Sequence, residues 1–282
     1  MKITRPKDAL IVEFELADCN AEQWFLLRSD VHFDNPKSDR KMEKRHLDQA
    51  RERNARVFDF GDLFDAMQGP RDPRQSRSVI RSEKDAGEYF NLIMDEAVSF
   101  YEPYADLFGS MSWGNHETAP VRHFGIDLTA MLIARLKDRT GHDIHHMPYS
   151  GFIRFRGVMS KTKKGGFTLR YTHGSGGGGP VTRGVIKHQR FATDYDADMY
   201  YIGHVHERSM MDRPQNFITR WGEIRQRTRW CCIAPGYKDA SKDGNSWEQS
   251  IGLSPKPIGA LWLSFRMDSK TGEMIATPSW AD

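Results

Sequence analysis

Five short apolar runs in this chain end alike, and that repetition constrains the fold more than any other feature. Trp24-Phe-Leu-Leu is followed by Asp30 and His32, Val57-Phe-Asp-Phe by Gly61, Asp62 and Asp65, and Met111-Ser-Trp by Gly114, Asn115, His116 and Glu117. Leu169-Arg-Tyr is followed by His173 and Gly174, and Tyr200-Tyr-Ile by Gly203, His204 and His206. Each run has strand length. Segments with helical spacing lie between some of them, at 41–56, about 83–107 and 127–137. Strands alternating with helices predict an α/β layered fold. Ligands of such sheets gather at the carboxyl ends of strands, so the five polar clusters are expected to converge on one edge of one sheet.

The residue types in those clusters suit divalent cations. Carboxylate, amide oxygen and imidazole make a mixed hard and borderline donor set with no thiolate. Alternation along an extended segment would put Asp30 and His32 on one side, and His204 and His206 likewise. A carboxylate such as Asp62 can bridge two ions. Two metals about 3.5–4 Å apart clamp a phosphoryl group and activate a water for in-line attack. Taken singly, a polar residue at a strand end is usually just hydrogen-bonded; five such ends in one chain outweigh that reading.

The ordered set Asp-x-His, Gly-Asp-x-x-Asp, Gly-Asn-His-Glu, His and Gly-His-x-His resembles the calcineurin-like metallophosphoesterase superfamily, with all five blocks present between Asp30 and His206. The resemblance implies a four-layer α-β-β-α sandwich, two mixed sheets flanked by helices. It implies that Asp30, His32 and His206 hold one metal, that Asn115, His173 and His204 hold a second, and that Asp62 bridges them. His116 would be a general acid, oriented by Asp65. The cofactors expected are two divalent ions, manganese first, with iron, zinc, nickel or magnesium also suited to the ligands.

The rest of the chain narrows the class. With 38% hydrophobic and 28% charged residues, it can build a core and is not a disordered polymer. We expect a single domain over 1–282, with a basic helical insertion around 66–108. The N-terminal apolar stretch is interrupted by Glu13 and Glu15, which reads as an alternating strand, not a signal peptide. No run approaches the ~20 apolar residues of a membrane span, so the expectation is a cytoplasmic protein with no membrane partner. Cys19, Cys231 and Cys232 do not make a disulfide framework; all three are expected as small buried apolar groups, the adjacent pair on opposite faces. The C-terminal part, from about Trp230, reads as β-rich.

The substrate is read from weaker signals. Ala66 follows Asp65, where the protein Ser/Thr phosphatases of the superfamily carry Arg. Gly-Asp-Leu-Phe-Asp resembles instead the block of DNA-repair exonucleases, related phosphodiesterases and phage- or prophage-encoded members. Lys37–Arg56 carries eight Lys/Arg against four Asp/Glu, and Pro70–Lys84 five against two. Such stretches suit DNA or RNA phosphates, or are simply solvated helix faces. Trp113, His123 and Trp221 are candidates for base stacking, and Gly174–Gly179 for a backbone approach to phosphate. A phosphodiesterase or nuclease is the leading reading. A phosphomonoesterase on a metabolite or phosphoprotein is the alternative, and a non-catalytic binding module on the same fold comes last, because no donor position is lost. His142, His145 and His146 fit none of the blocks and are expected in a loop or edge strand.

Overall fold

The computed structural model describes residues 1–67, 86–177, 184–239 and 255–281. Its elements in chain order begin with β1 (Lys2–Thr4), β2 (Leu10–Glu15), β3 (Gln23–Arg28), α1 (Arg40–Glu52), β4 (Arg56–Asp59) and α2 (Ala86–Tyr101). A 3-10 helix (Glu102–Leu107) leads into β5 (Phe108–Ser112), α3 (Asn115–Phe124), α4 (Leu128–Thr140) and β6 (His145–Met147). Then come β7 (Ser150–Val158), β8 (Lys164–Thr172), α5 (Val185–Asp194) and β9 (Met199–Ile202). The last strands are β10 (Ser209–Ile218), β11 (Ile224–Ile233), β12 (Ala260–Met267) and β13 (Met274–Ala281).

Two mixed sheets face each other. One has the order β1-β2-β7-β8-β9-β11-β10 and the other β13-β12-β3-β4-β5-β6. Burial explains why the runs are so apolar. In β3, Phe25 and Leu27 enter the core between the sheets, while Leu26 enters a second core under the helices. A strand covered on both faces reads as a continuous apolar run. The between-sheet core is rich in rings; Phe25 lies 4.8 Å from Phe155 and 5.7 Å from Phe265, centroid to centroid. The helical core draws Leu47 from α1, Ile93 from α2 and Leu132 from α4. A small third cluster joins Ala192 of α5 to Tyr200 and Cys231. The layers are therefore helices, sheet, sheet and helix, the α/β sandwich expected.

Several sequence expectations change in detail. The helical pattern at 83–107 is α2 followed by the 3-10 turn; residues 68–85, which hold the Pro70–Lys84 basic stretch, lie outside the described residues. α2 itself contains no Lys or Arg and buries Tyr89, Phe90, Ile93 and Met94, so it is core rather than basic surface. Cys231 and Cys232 are buried on opposite faces, whereas Cys19 is only half-buried, its Sγ against Met159 Sδ. His145 and His146 fall in the edge strand β6. Among the described residues, no helix is long and apolar enough to cross a membrane.

Candidate metal centre

The five clusters do meet, but at the rim of both sheets. β3, β4 and β5 deliver Asp30, Asp62 and Asn115 from one sheet; β8 and β9 deliver His173 and His204 from the other. Hydropathy patterning cannot assign a strand to a sheet, so convergence on one sheet edge is corrected to convergence on two.

The i, i+2 ligand pairs also arise differently from the pleat expected. Asp30 and His32 have φ of 56° and 49°, and His204 and His206 have 68° and 51°. These are left-handed conformations, not extended ones. Of the seven described non-glycine residues with positive φ, five are candidate ligands, so backbone strain of order 1 kcal/mol or more apiece collects here. It is held by main-chain bonds between the two loops: Asp30 N donates to Gly61 O at 2.9 Å and His32 N to Asp62 O at 3.0 Å. The approach is close enough to demand glycine at Gly114, where a Cβ would sit 2.1 Å from Asp62 Oδ1.

Three groups of donors result: Asp30, His32 and His206; Asp62, His173 and His204; and His32, Asp65 and His116, which shares His32 with the first. In the first, His206 Nε2 lies 3.3 Å from Asp30 Oδ1 and 3.2 Å from His32 Nε2. In the second, His173 Nε2 lies 3.0 Å from Asp62 Oδ2. Asn115 Oδ1 is 3.0 Å from His173 Nε2 and 2.7 Å from His204 Nδ1. A carbonyl oxygen only accepts, so His173 Nδ1, 3.0 Å from Phe60 O, carries the ring hydrogen. Its Nε2 faces the oxygens of Asp62 and Asn115, carrying a proton in the metal-free site and free to ligate once a cation takes that proton's place. Electron-pair donors packed face to face are poorly paired with one another and well suited to a shared cation.

Electrostatics agree with that chemistry. Burial drags His32 down to about 4, and His116 and His206 push the same way against Asp65, so its imidazole is neutral, the form that ligates. Burial works to raise Asp30, but His206 overrides it and holds the carboxyl at about 2. For His173, Asp62 and Asp30 overcome the lowering by burial and raise it to about 10. The pocket therefore calls for positive charge.

Asp65, expected to orient His116, stands between two imidazoles. Its carboxylate Oδ1 lies 2.8 Å from His32 Nδ1 and 3.9 Å from His116 Nδ1. His116 instead meets the main-chain carbonyl of Asp65, at 2.5 Å from Nδ1. The loop conformation around Asp65 turns the carboxylate toward the first donor group. Asn35 Nδ2 donates to Asp65 Oδ2 at 3.0 Å and fixes it there.

Three residues outside the expected set support the site. Glu117 accepts main-chain N–H groups of Asp62, Phe64 and Gly114 at 2.8–3.0 Å. Asp34 accepts those of Asp65 and Ala66, at 2.6 and 3.0 Å, and the hydroxyl of Tyr89. Gly236 brings the main chain against Asp30, where a Cβ would meet Asp30 Cβ at 2.8 Å. Glu117 stood within a recognised block and was readable; Asp34 and Gly236 had no signal beyond residue type.

Trp113 Nε1 donates to Asp127 at 3.1 Å, and His123 is exposed on α3. Trp221 is 75% exposed in the β10–β11 turn, about 30 Å of strand from the end of β11 nearest the ligands. Gly174–Gly177 are described; the rest of the glycine run lies outside the described residues.

No protein-family model and no curated protein matches this sequence. Among solved structures, the chain is similar to a metallophosphoesterase from Sphaerobacter thermophilus, with 13% identity, 92% of this chain and 89% of that one covered, and a TM-score of 0.36. It is similar to zinc-complexed Vps29 from Entamoeba histolytica, with 9% identity, 92% and 100% covered, and a TM-score of 0.33. A predicted phosphoesterase from Streptococcus pneumoniae gives 11% identity, 92% and 99% covered, and 0.32. At such values the reading of the site rests on its own residues.

Proposed function

We propose that the chain is a dinuclear metallophosphoesterase of the calcineurin-like kind, hydrolysing phosphodiester bonds in nucleic acid or nucleotides. The observation that carries this is the pair of donor groups, Asp30/His32/His206 and Asp62/His173/His204, with Asn115 Oδ1 beside the second. Two divalent ions, manganese first, would offset phosphoryl charge there and lower the pKa of water. Asp62 is assigned as the bridge. His116 is assigned as the general acid. Its Nδ1 faces a carbonyl and so carries hydrogen, which leaves Nε2 to hold or hand over a proton. A ring 12% exposed can reach a leaving oxygen while staying oriented. The diester preference is supported by the Lys/Arg-rich α1, which begins at Arg40, eight residues after His32.

The test is hydrolysis of bis-p-nitrophenyl phosphate against p-nitrophenyl phosphate by Mn²⁺-loaded protein, followed by single- and double-stranded DNA. Diester turnover, lost in His116→Ala with metal content intact, is the expected result. Turnover of the monoester alone would replace the diester reading. No turnover with any of several metals would overturn the enzyme reading.

A further inference from the structure

The donor groups are wholly polar, yet the cleft beside them is apolar. It encloses about 250 Å³, opens to solvent, and is walled chiefly by Tyr149, Phe191, Ile202, Val205 and Ile233. Its walls are continuous with the ligand segments. Val205 stands between His204 and His206, and Thr172 and Gly174, which also line the cleft, flank His173. The Tyr149 ring packs edge-on against that of His173, centroids 5.4 Å apart, and its hydroxyl donates to Gly174 O. The far wall is α5, through Phe191. Tyr149 and Gly174 thus set the cleft against His173, and Gly174 sets it against His204, whose Cβ would lie 3.4 Å from a Cβ at that glycine.

We propose that the cleft receives the nucleobase of a nucleotide-containing phosphoester; this rests on the phosphoesterase reading above. Three observations favour a base over other groups. At about 30 Å³ per water, the volume corresponds to roughly eight waters, room for one ring system. Tyr149 and Phe191 supply aromatic surface of the kind on which bases stack irrespective of sequence. Thr172 and Ser175 are among the lining residues, and polar residues of that kind suit a heteroaromatic edge better than an alkyl chain. Phosphate at the metals and base in the cleft would be recognised by adjoining parts of the same segments, 172–174 and 202–206.

The test is calorimetric binding to Mn²⁺-loaded protein of thymidine 5′-monophosphate, phenyl phosphate and methyl phosphate. The nucleotide is expected to bind roughly ten- to hundredfold tighter than methyl phosphate, the effect of one base on aromatic side chains, with phenyl phosphate between. Ile233→Phe, which fills the cleft with a larger side chain, and Phe191→Ala are each expected to remove most of that advantage. Both should leave Mn²⁺ content and methyl phosphate affinity unchanged. Equal affinity for nucleotide and methyl phosphate overturns the proposal, as does phenyl phosphate binding as tightly as the nucleotide, or an advantage that survives both variants. Hydrolysis is scored separately with bis-p-nitrophenyl phosphate. Base-dependent binding without turnover would refute the hydrolase reading and leave the base cleft standing; turnover without base-dependent binding would do the reverse.

Discussion

Glu117 Oε2 accepts the main-chain N–H of Asp62 at 3.0 Å, across 55 residues of sequence. The same carboxylate takes the N–H groups of Phe64 and Gly114, so one fully buried side chain fixes the loop that carries Asp62 to the helix that carries Asn115 and His116. Leaving a buried N–H unpaired costs ~1–3 kcal/mol. Glu117→Ala orphans three of them and is expected to destabilise the protein by at least about 3 kcal/mol in urea unfolding. Glu117→Gln keeps one acceptor oxygen and is expected to cost less than half as much. Equal stability of the Ala variant and wild type would show that the loop holds itself.

Asp65 is placed to position a ligand. Its carboxylate lies 2.8 Å from His32 Nδ1, so it selects the tautomer that leaves Nε2 free for a cation. Removing such an outer partner typically costs 10–100-fold in metal affinity. Asp65→Asn is expected to weaken the Asp30/His32/His206 site by about that factor and leave the second site near wild type, read by metal titration. Full occupancy of both sites with depressed turnover would return Asp65 to His116.

The five strand ends were legible because each apolar run is covered on both faces and each ends in residue types a buried strand does not hold. The left-handed turns were not legible, since Asp and His occupy extended and left-handed conformations without changing the hydropathy pattern. α3 was hidden for another reason. Its first turn is the Asn115-His116 block, and Pro120 sits inside it, so its ten residues look like a loop. Asp34 and Gly236 were invisible because each acts on backbone supplied by a distant segment, which no local spacing reports. Which strands share a sheet is likewise a matter of long-range pairing, not of any run's own composition.

A pH dependence follows from the buried cluster beneath the centre. Arg28 contacts both Asp59 and Glu43, at 2.9 and 2.6 Å, all fully buried. One cation faces two carboxylates. Burial raises Asp59 from 3.8 to about 6, against the pull of Arg28. A carboxyl whose folded pKa lies above its unfolded value holds its proton more tightly when folded. Its contribution is present below pH 3.8 and is lost as pH rises through about 6. The metal-free protein should therefore lose stability from this group at up to about 1.4 kcal/mol per pH unit within that window. Asp59→Asn should remove that component, so the wild-type-minus-variant difference in unfolding free energy falls between pH 4 and 6. A pH-independent difference would place the excess proton elsewhere.

Asp62 offers the sharpest test of two ions against one. Its Oδ2 lies 3.0 Å from His173 Nε2 and 3.7 Å from His116 Nε2, and it is the only carboxylate of the second donor group. If it bridges, Asp62→Ala strips a charged oxygen from both ions at once, and metal content by elemental analysis is expected to fall well below one ion per chain. Asn115→Ala, which removes an oxygen facing only His173 and His204, is expected to leave close to one. If Asp62→Ala also retains one tightly held ion, Asp62 serves a single site and the bridge must be sought elsewhere. Asp30 is the natural place to look, since its Oδ1 is 3.3 Å from His206 Nε2 and 3.9 Å from His173 Nε2, between the two groups.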